Sequence, residues 1–194
     1  MATRLFSEHG YSGTSMRDVG EAAGIQAASI YAHITGKEDL LFEVLDEMAN
    51  RFLINLSVIR ASGAPPSEQL RRVCATHLVT VAKDLPAATV HFHEYRYLTG
   101  RRLRQIVAKR DAYEAGLAAI IDEGIQDGSF KAVDLKLSTL QILSVLNYAY
   151  HWYSPSGRYR PEELGERFAT GKLEGLLASP PTASSPKRKK RGSR

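Results

Sequence analysis

The side chains able to do chemistry in this 194-residue chain are suited to holding ligands rather than to breaking bonds. His77, Phe92, His93, Tyr95, Tyr113, Asn147, Tyr148, His151 and Trp152 add more aromatic and polar-tipped groups to apolar stretches than a plain core requires. Each taken singly is more often core than contact, but the set fits a mainly apolar small-molecule pocket with a few polar groups. Nearby, Arg96, Arg101, Arg102, Arg104, Lys109 and Arg110 outnumber the acids Glu94, Asp111 and Glu114. Guanidinium groups match phosphate geometry, so the run reads either as a solvated basic helix or as a phosphate-binding mouth to the pocket, with Arg96 its first candidate contact. His91 and His93 are two apart and face different ways on a helix, so they do not form an i, i+4 metal pair. No metal site and no cofactor is expected. Catalytic triads, nucleophile elbows, phosphate-cradling glycine loops and paired carboxylates are missing from the pattern, so no residue can be named for an enzymatic role.

A second kind of chemistry sits near the start, in TSMRDVGEAAGIQAASIYAHITGK, residues 14–37. Thr14 or Ser15 can cap a helix, since a short side-chain oxygen accepts from a free N–H of the first turn, and Asp18 favours the positive helix end. Met16, Val19, Ala22 and Ala23 make one apolar stripe. Gly24 can take the left-handed conformation that ends a helix without strain. A second helix follows over residues 25–34, with Ile30 and Ile34 inward and Ala27, Ala28 and Tyr31 on another face. Small residues there let the backbone approach base edges, and a phenol can reach a phosphate. The pair reads as a helix-turn-helix.

With their flanks, these residues resemble the DNA-binding head of the TetR family of transcriptional regulators. Leu5, Phe6, Gly10, Tyr11, Thr14, Ser15, Val19, Ala23, Gly24, Ile25, Ser29, Ile30, Tyr31, His33, Lys37, Glu38 and Leu40 all fall at that family's spacings. The resemblance implies a base or phosphate contact for Arg17, base-reading positions for Gln26, Ala27 and Ala28, and phosphate contacts for Tyr31, His33 and Lys37. Gln26 could pair with adenine and the alanine methyls could meet thymine methyls. Thr14 and Ser15 are either caps alone or caps that also touch phosphate. Relatives carry another turn or two and a basic arm before this point, so a short first helix over residues 1–9 is expected. A weaker resemblance links NYAYHWYSPSGRYRPEEL, residues 147–164, to TetR regulators of fatty-acid and sterol catabolism that respond to acyl-CoA esters. An acyl chain in the pocket with its phosphates at the arginines would follow.

The elements that must position these groups are all helical. After the motif a long helix starts at Lys37, and its stripe from Leu40 to Ile59 should join head to body. SGAPPS, residues 62–67, stops it. Further helices are predicted over residues 67–83, from Pro86 to near Gly100, over 103–126, over 135–153, and from Pro161 onward, where proline suits a first turn. Asp134 should cap the 135–153 helix after the DGSF turn. That helix is apolar on nearly all sides, and the stripe of the last helix, including Leu164, Phe168 and Leu173, also needs a partner. Pairing both helices with their copies in a two-fold four-helix bundle is the economical solution. Two heads could then enter successive major grooves of a palindromic operator.

Composition sets the remaining bounds. Hydrophobic residues make up 43% of the chain and no apolar run is long enough to span a bilayer. The single cysteine, Cys74, excludes an internal disulfide and reads as a buried apolar group. With no signal-peptide pattern, a cytoplasmic location is expected. The net charge of +5 belongs to the tail, because removing Lys187, Arg188, Lys189, Lys190, Arg191 and Arg194 leaves −1. Residues 1–40 carry three bases against five acids, so double-stranded DNA is implied by motif and geometry, not by a basic domain. The expected organisation is all-α: a three-helix head over residues 1–46, a ligand-binding and dimerisation body over 47–178, and a disordered basic tail over 179–194. The expected function is a homodimeric repressor released from its operator by a small apolar ligand, with acyl-CoA esters the class that fits. The alternatives are a constitutive DNA-binding regulator, or a helical carrier or enzyme with a vestigial head.

Overall fold

Local signals account for most element boundaries. In the computed structural model, which describes residues 1–24 and 34–176, the chain begins with α1 (Ala2–Gly13) and α2 (Met16–Ala23). The expected tail over 179–194 and nearly all of the second motif helix lie outside the described residues. Ser15 caps α2: its hydroxyl oxygen accepts from the Asp18 N–H, and the Asp18 carboxylate accepts from the Ser15 N–H at 2.7 Å. The reciprocal bonds satisfy two donors that the helix itself leaves free. Gly24 ends α2 in the left-handed region, with φ at 69°. The first helix is longer than the expected 1–9, but Gly10 (φ 73°, ψ 162°) interrupts it.

The connecting helix is α3 (Lys37–Ala61). Pro65 and Pro66 end the turn after it, and Pro66 opens α4 (Pro66–Lys83) in a position where its missing N–H costs nothing. Asp84 caps α5 (Leu85–His93) by accepting from the Ala87 N–H at 3.0 Å. The predicted helix reaching Gly100 instead stops at His93 and continues as a 3-10 turn, Tyr95–Tyr97. Next come α6 (Gly100–Gln126) and α7 (Leu135–Asn147), the latter capped by Asp134 as its sequence suggests. The expected single helix to residue 153 breaks at Tyr148, leaving a short α8 (Ala149–Trp152); α9 (Pro161–Leu176) follows. No β-strand element occurs among the described residues. No described helix is long and apolar enough to cross a membrane.

Two apolar clusters form, and α3 runs through both. Phe6 of α1 packs with Leu41 and Leu45 of α3, and this small core is closed by Val90 of α5, by Leu98 after the 3-10 turn, and by Ile106 of α6. The larger cluster joins Met48, Phe52 and Leu56 of α3 to α4, α6 and α7. The expected boundary near residue 46 thus falls in mid-helix, between the two clusters.

The last helix departs from expectation. Its stripe meets a partner inside the chain, since Ala169, Leu173 and Leu176 of α9 are buried in the large cluster and α9 lies along α4. Gly165 allows the approach, because a Cβ built there would stand 2.4 Å from the Ala75 Cα and 2.6 Å from the Cys74 carbonyl oxygen. The helix before it keeps an open face. Ser138, Thr139, Ile142, Leu143 and Leu146 turn inward, while Leu137, Leu140, Val145, Tyr148 and Trp152 are each 40–54% exposed.

Candidate functional site

In the head, two expected contact residues are committed to internal bonds. Thr14 is buried and its hydroxyl donates to the carbonyls of Leu5 and Gly10, at 3.2 and 2.9 Å. Lys37 donates to the carbonyls of Tyr11 and Thr14 at 2.8 Å each, and its ammonium lies 4.2 Å from the Tyr11 ring centre. A cation there suits the free carbonyls of a helix C-terminus, so Lys37 fastens α1 to α3. Ser15 and Arg17 are exposed, and Arg17 pairs with Glu21 one turn away at 2.9 Å. That pair is solvated and worth little to stability. The expected contacts Gln26, Ala27, Ala28, Tyr31 and His33 lie outside the described residues.

Two of the five acids that weigh against a basic head surface have partners in the body. Glu38 accepts from the Thr99 N–H at 2.8 Å, and Asp39 pairs with Arg102. Buried Glu94, just past α5, accepts from the Tyr11 N–H at 3.3 Å, where the irregular Gly10 has broken the helical ladder. Three of the head–body joints are therefore polar, and they surround the small shared core.

Below them lies a cavity of about 170 Å³. Ala49 and Phe52 of α3 form one wall, His77 of α4 another, and His91 and Phe92 of α5 a third. From α6 come Lys109, Arg110, Tyr113 and Glu114, one helical turn apart, and from α7 Leu140, Leu143, Ser144 and Asn147. The cavity thus brings together His77, Phe92, Tyr113 and Asn147 of the expected pocket residues. The others do not line it. His93 is exposed, 3.7 Å from Glu94; Tyr95 lies against the small core beneath Arg110; Arg96 is exposed over Tyr97. Tyr148 stacks on His151 at 4.9 Å, and Trp152 meets Phe168 edge-on, all on the open face of the last helices.

Several lining residues, Phe52, Leu143 and His91 among them, are missed by the sequence, which offers His91 only as a metal ligand. A signal is present: Ala87, His91 and Glu94 recur at i, i+4 and i+7, and all three are buried. No group of three or more potential metal ligands occurs among the described residues.

Several polar groups of the cavity are already engaged. Lys109 bonds Asp46 and, at 2.7 Å, Asn50 of the connecting helix, and Glu114 pairs with Lys136. Arg110 has no carboxylate partner among the described residues; its guanidinium lies 4.3 Å from the Tyr95 ring centre. The His91 Nδ1–H donates to the Leu45 carbonyl at 3.1 Å. His77 Nδ1 is 3.0 Å from the Tyr113 hydroxyl, its ring stacks on Phe52 at 4.4 Å, and its Nε2 has no partner among the described residues.

Both histidines are held neutral. Burial, with His91 nearby, pushes His77 down to about 3; burial and the Arg110 charge push His91 down to about 4. Burial likewise raises the Tyr113 phenol and takes the Cys74 thiol to about 12. A histidine whose proton affinity falls on folding contributes fully above its unfolded value of about 6.5, and that stability drains away as the unfolded chain takes up protons. Between pH 7 and pH 5.5 each residue should cost the fold about 1 kcal/mol. Urea unfolding at the two pH values measures this, and His91→Gln should remove about half of the dependence. An unchanged slope in the variant would show that His91 is already protonated or open to solvent.

Comparison with known proteins gives two matches along the chain. The family model described as bacterial regulatory proteins, tetR family, matches residues 1–44, and the tetracyclin repressor-like C-terminal domain matches residues 63–176. The HTH-type transcriptional repressor KstR2 of Rhodococcus jostii is 26% identical over 182 residues, covering 93% of this chain and 89% of the relative. The TetR family regulator PfmR from Thermus thermophilus superposes with a TM-score of 0.85 at 30% identity, covering 91% of this chain and 97% of its own. AibR, solved in complex with isovaleryl coenzyme A and operator DNA, gives a TM-score of 0.78 at 29% identity over 91% of this chain and 94% of its own.

Proposed function

The chain belongs to the TetR family of bacterial regulatory proteins, and from that premise we propose that it is a homodimeric transcriptional repressor released from a palindromic operator by a small acyl-CoA. The observation that carries the ligand-responsive part is the double role of α3. Leu41 and Leu45 of this helix hold the head core, while one to two turns later Ala49 and Phe52 line the cavity. A ligand that moves this wall moves the floor of the head.

Two further links run the same way. Lys109 lines the cavity and holds Asp46 and Asn50 of α3. The segment that supplies His91 and Phe92 to the cavity supplies Glu94 to Tyr11 of the head. A ligand that binds better when the heads are misaligned for adjacent grooves shifts the population off DNA by its differential affinity. Coupling of about 1–3 kcal/mol would weaken operator binding roughly 5–150-fold. The acyl-CoA assignment draws support from Arg110 at the cavity and from AibR, a similar protein solved with isovaleryl coenzyme A. In this reading the protein works in the cytoplasm, is not an enzyme, and contacts DNA through Ser15, Arg17, Gln26, Ala27, Ala28, Tyr31 and His33, with Lys37 bracing the head.

Selection of bound sequences from random duplexes by the purified protein tests this directly. A two-half-site palindrome should emerge, and acyl-CoA should then lower affinity for it. Recovery of no palindromic sequence would overturn the operator reading, and operator binding indifferent to every acyl-CoA would leave a constitutive regulator.

A further inference from the structure

Three ion pairs join α3 to α6 among the described residues, and their spacing is regular. Asp39 meets Arg102, Asp46 meets Lys109 and Arg60 meets Glu123, and in every pair the partners are 63 positions apart. The two helices therefore run parallel, in one register over nearly the whole of α3. Successive pairs are about two or four helical turns apart, so they follow one edge of the contact. The step they omit falls at Leu53 and Gly116. There the helices approach closely instead, since a Cβ at Gly116 would stand 2.5 Å from the Leu56 Cδ2 atom.

The pairs are not equivalent. Asp39–Arg102 belongs to the joint of head and body, beside the bond from Thr99 to Glu38. Arg60–Glu123 lies at the far end of α3, and its carboxylate side chain is 45% exposed. The middle pair is built more tightly. Lys109 donates to Asp46 and, at 2.7 Å, to the Asn50 Oδ1 atom, while Asn50 Nδ2 donates to the second Asp46 oxygen at 3.0 Å. The three side chains close a ring of hydrogen bonds, and those of Lys109 and Asp46 are only 26% and 25% exposed. A charge-assisted, partly buried pair held by a third group resists displacement more than a solvated one does.

The position of this ring matters as much as its strength. It lies where α3 passes from one core to the other: Leu45 belongs to the head cluster and Met48 to the body cluster. The same turn is tied from the other side, where the Leu45 carbonyl accepts from His91 Nδ1–H. We propose that Lys109 is a positioning residue for DNA binding: through Asp46 and Asn50 it fixes α3 between the two cores and so sets the angle of the head on the body. The far pair, Arg60–Glu123, contributes to stability only. This rests on the homodimeric repressor reading above. Paired heads fit two major grooves only when both are correctly set. A wrong angle therefore weakens binding to two half-sites and leaves one head's own contacts intact.

The full chain is titrated with duplexes from the random selection carrying one or two half-sites. Asp46→Lys and Lys109→Asp each set like charges face to face. Each should weaken two-half-site binding about tenfold with single-half-site binding unchanged. The two changes combined should restore affinity to within about threefold of the unmodified protein. Arg60→Met should lower the urea midpoint and leave both affinities as they were. Should the reversals not fold, Lys109→Met, which keeps the stem and drops the charge, carries the same expectation. Amide exchange needs no DNA: over residues 41–52 it should be about tenfold faster in Lys109→Met and unchanged in Arg60→Met. Equal loss on both duplexes would make the ring a stabiliser of the head and overturn the positioning role, as would no loss on either. A combined variant no better than the single ones would show that the pairing is not what matters. If selection returns no palindrome, the repressor reading falls, and exchange decides the role of Lys109: unchanged protection over residues 41–52 overturns it.

Discussion

Leu137→Glu combined with Val145→Glu is expected to turn the protein into a folded monomer and to weaken its binding to a two-half-site duplex by about 10²–10⁴-fold. Both side chains are about half exposed on the outer face of α7, so neither charge is forced into the core of its own chain. They lie in an open apolar surface. Leu137, Leu140 and Val145 of α7, with Tyr148 and Trp152 just beyond it, are all exposed, and beside them a groove between α7 and α9 is lined by residues including Ile142, Val145, Leu146 and Phe168. Contiguous apolar surface of this kind marks an interaction site, and a two-fold copy would bury each face against itself. Charges brought together across that axis would repel one another. Sedimentation gives the mass, and titration of duplexes with one and two half-sites gives the affinities. Binding to a single half-site should be unchanged, because the loss comes from untethering the second head. A double variant that still sediments as a dimer would place the interface on another face.

Gly165→Ala should destabilise the fold by about 3 kcal/mol, although alanine is the better helix former by about 1 kcal/mol. The added methyl would enter at 2.4–2.6 Å from the Ala75 Cα, the Ala75 nitrogen and the Cys74 carbonyl oxygen. All three are backbone atoms of α4, so no side chain can rotate away; α9 must lift from α4 instead. Gly171→Ala, six residues along the same helix, meets nothing within 4 Å and should stabilise by up to about 1 kcal/mol. Urea unfolding in the monomeric Leu137→Glu/Val145→Glu background separates these effects from association. The paired signs are the test: if both alanines stabilise, α9 does not pack on α4 through its backbone.

Much of the head is legible from short-range chemistry. Ser15 and Asp18 form a capping box because they lie three residues apart, and Gly24 ends the helix because it lacks a Cβ. Asp134 caps α7 for the same local reason. Thr14 is an equal candidate for the cap in sequence, and only the fold decides against it by bringing the Leu5 and Gly10 carbonyls to its hydroxyl. The charge count of the head is equally ambiguous. Five acids against three bases argue against a DNA-binding surface, yet Glu38 and Asp39 are engaged by Thr99 and Arg102, more than 60 residues away in sequence. The basic run on α6 divides in the same way: Arg102 and Lys109 brace the connecting helix, and Arg110 faces the cavity.

The sequence by itself determined the all-α class, the extents of most helices, the helix-turn-helix spacing and the resemblance to TetR regulators, since caps, glycines and periodicity act within a few residues. Tertiary structure alone decided which apolar stripes meet. It paired the last helix with α4 through Gly165, left the outer face of α7 open, and closed the head core with residues from α5 and α6. It also selected His77, His91, Phe92 and Tyr113 for the cavity while leaving His93, Tyr148 and Trp152 outside. The physical reason is that a helical stripe specifies that a face is apolar, not what will cover it. That choice depends on the shape and spacing of surfaces far apart in the chain, as with the 36 residues separating His77 from Tyr113.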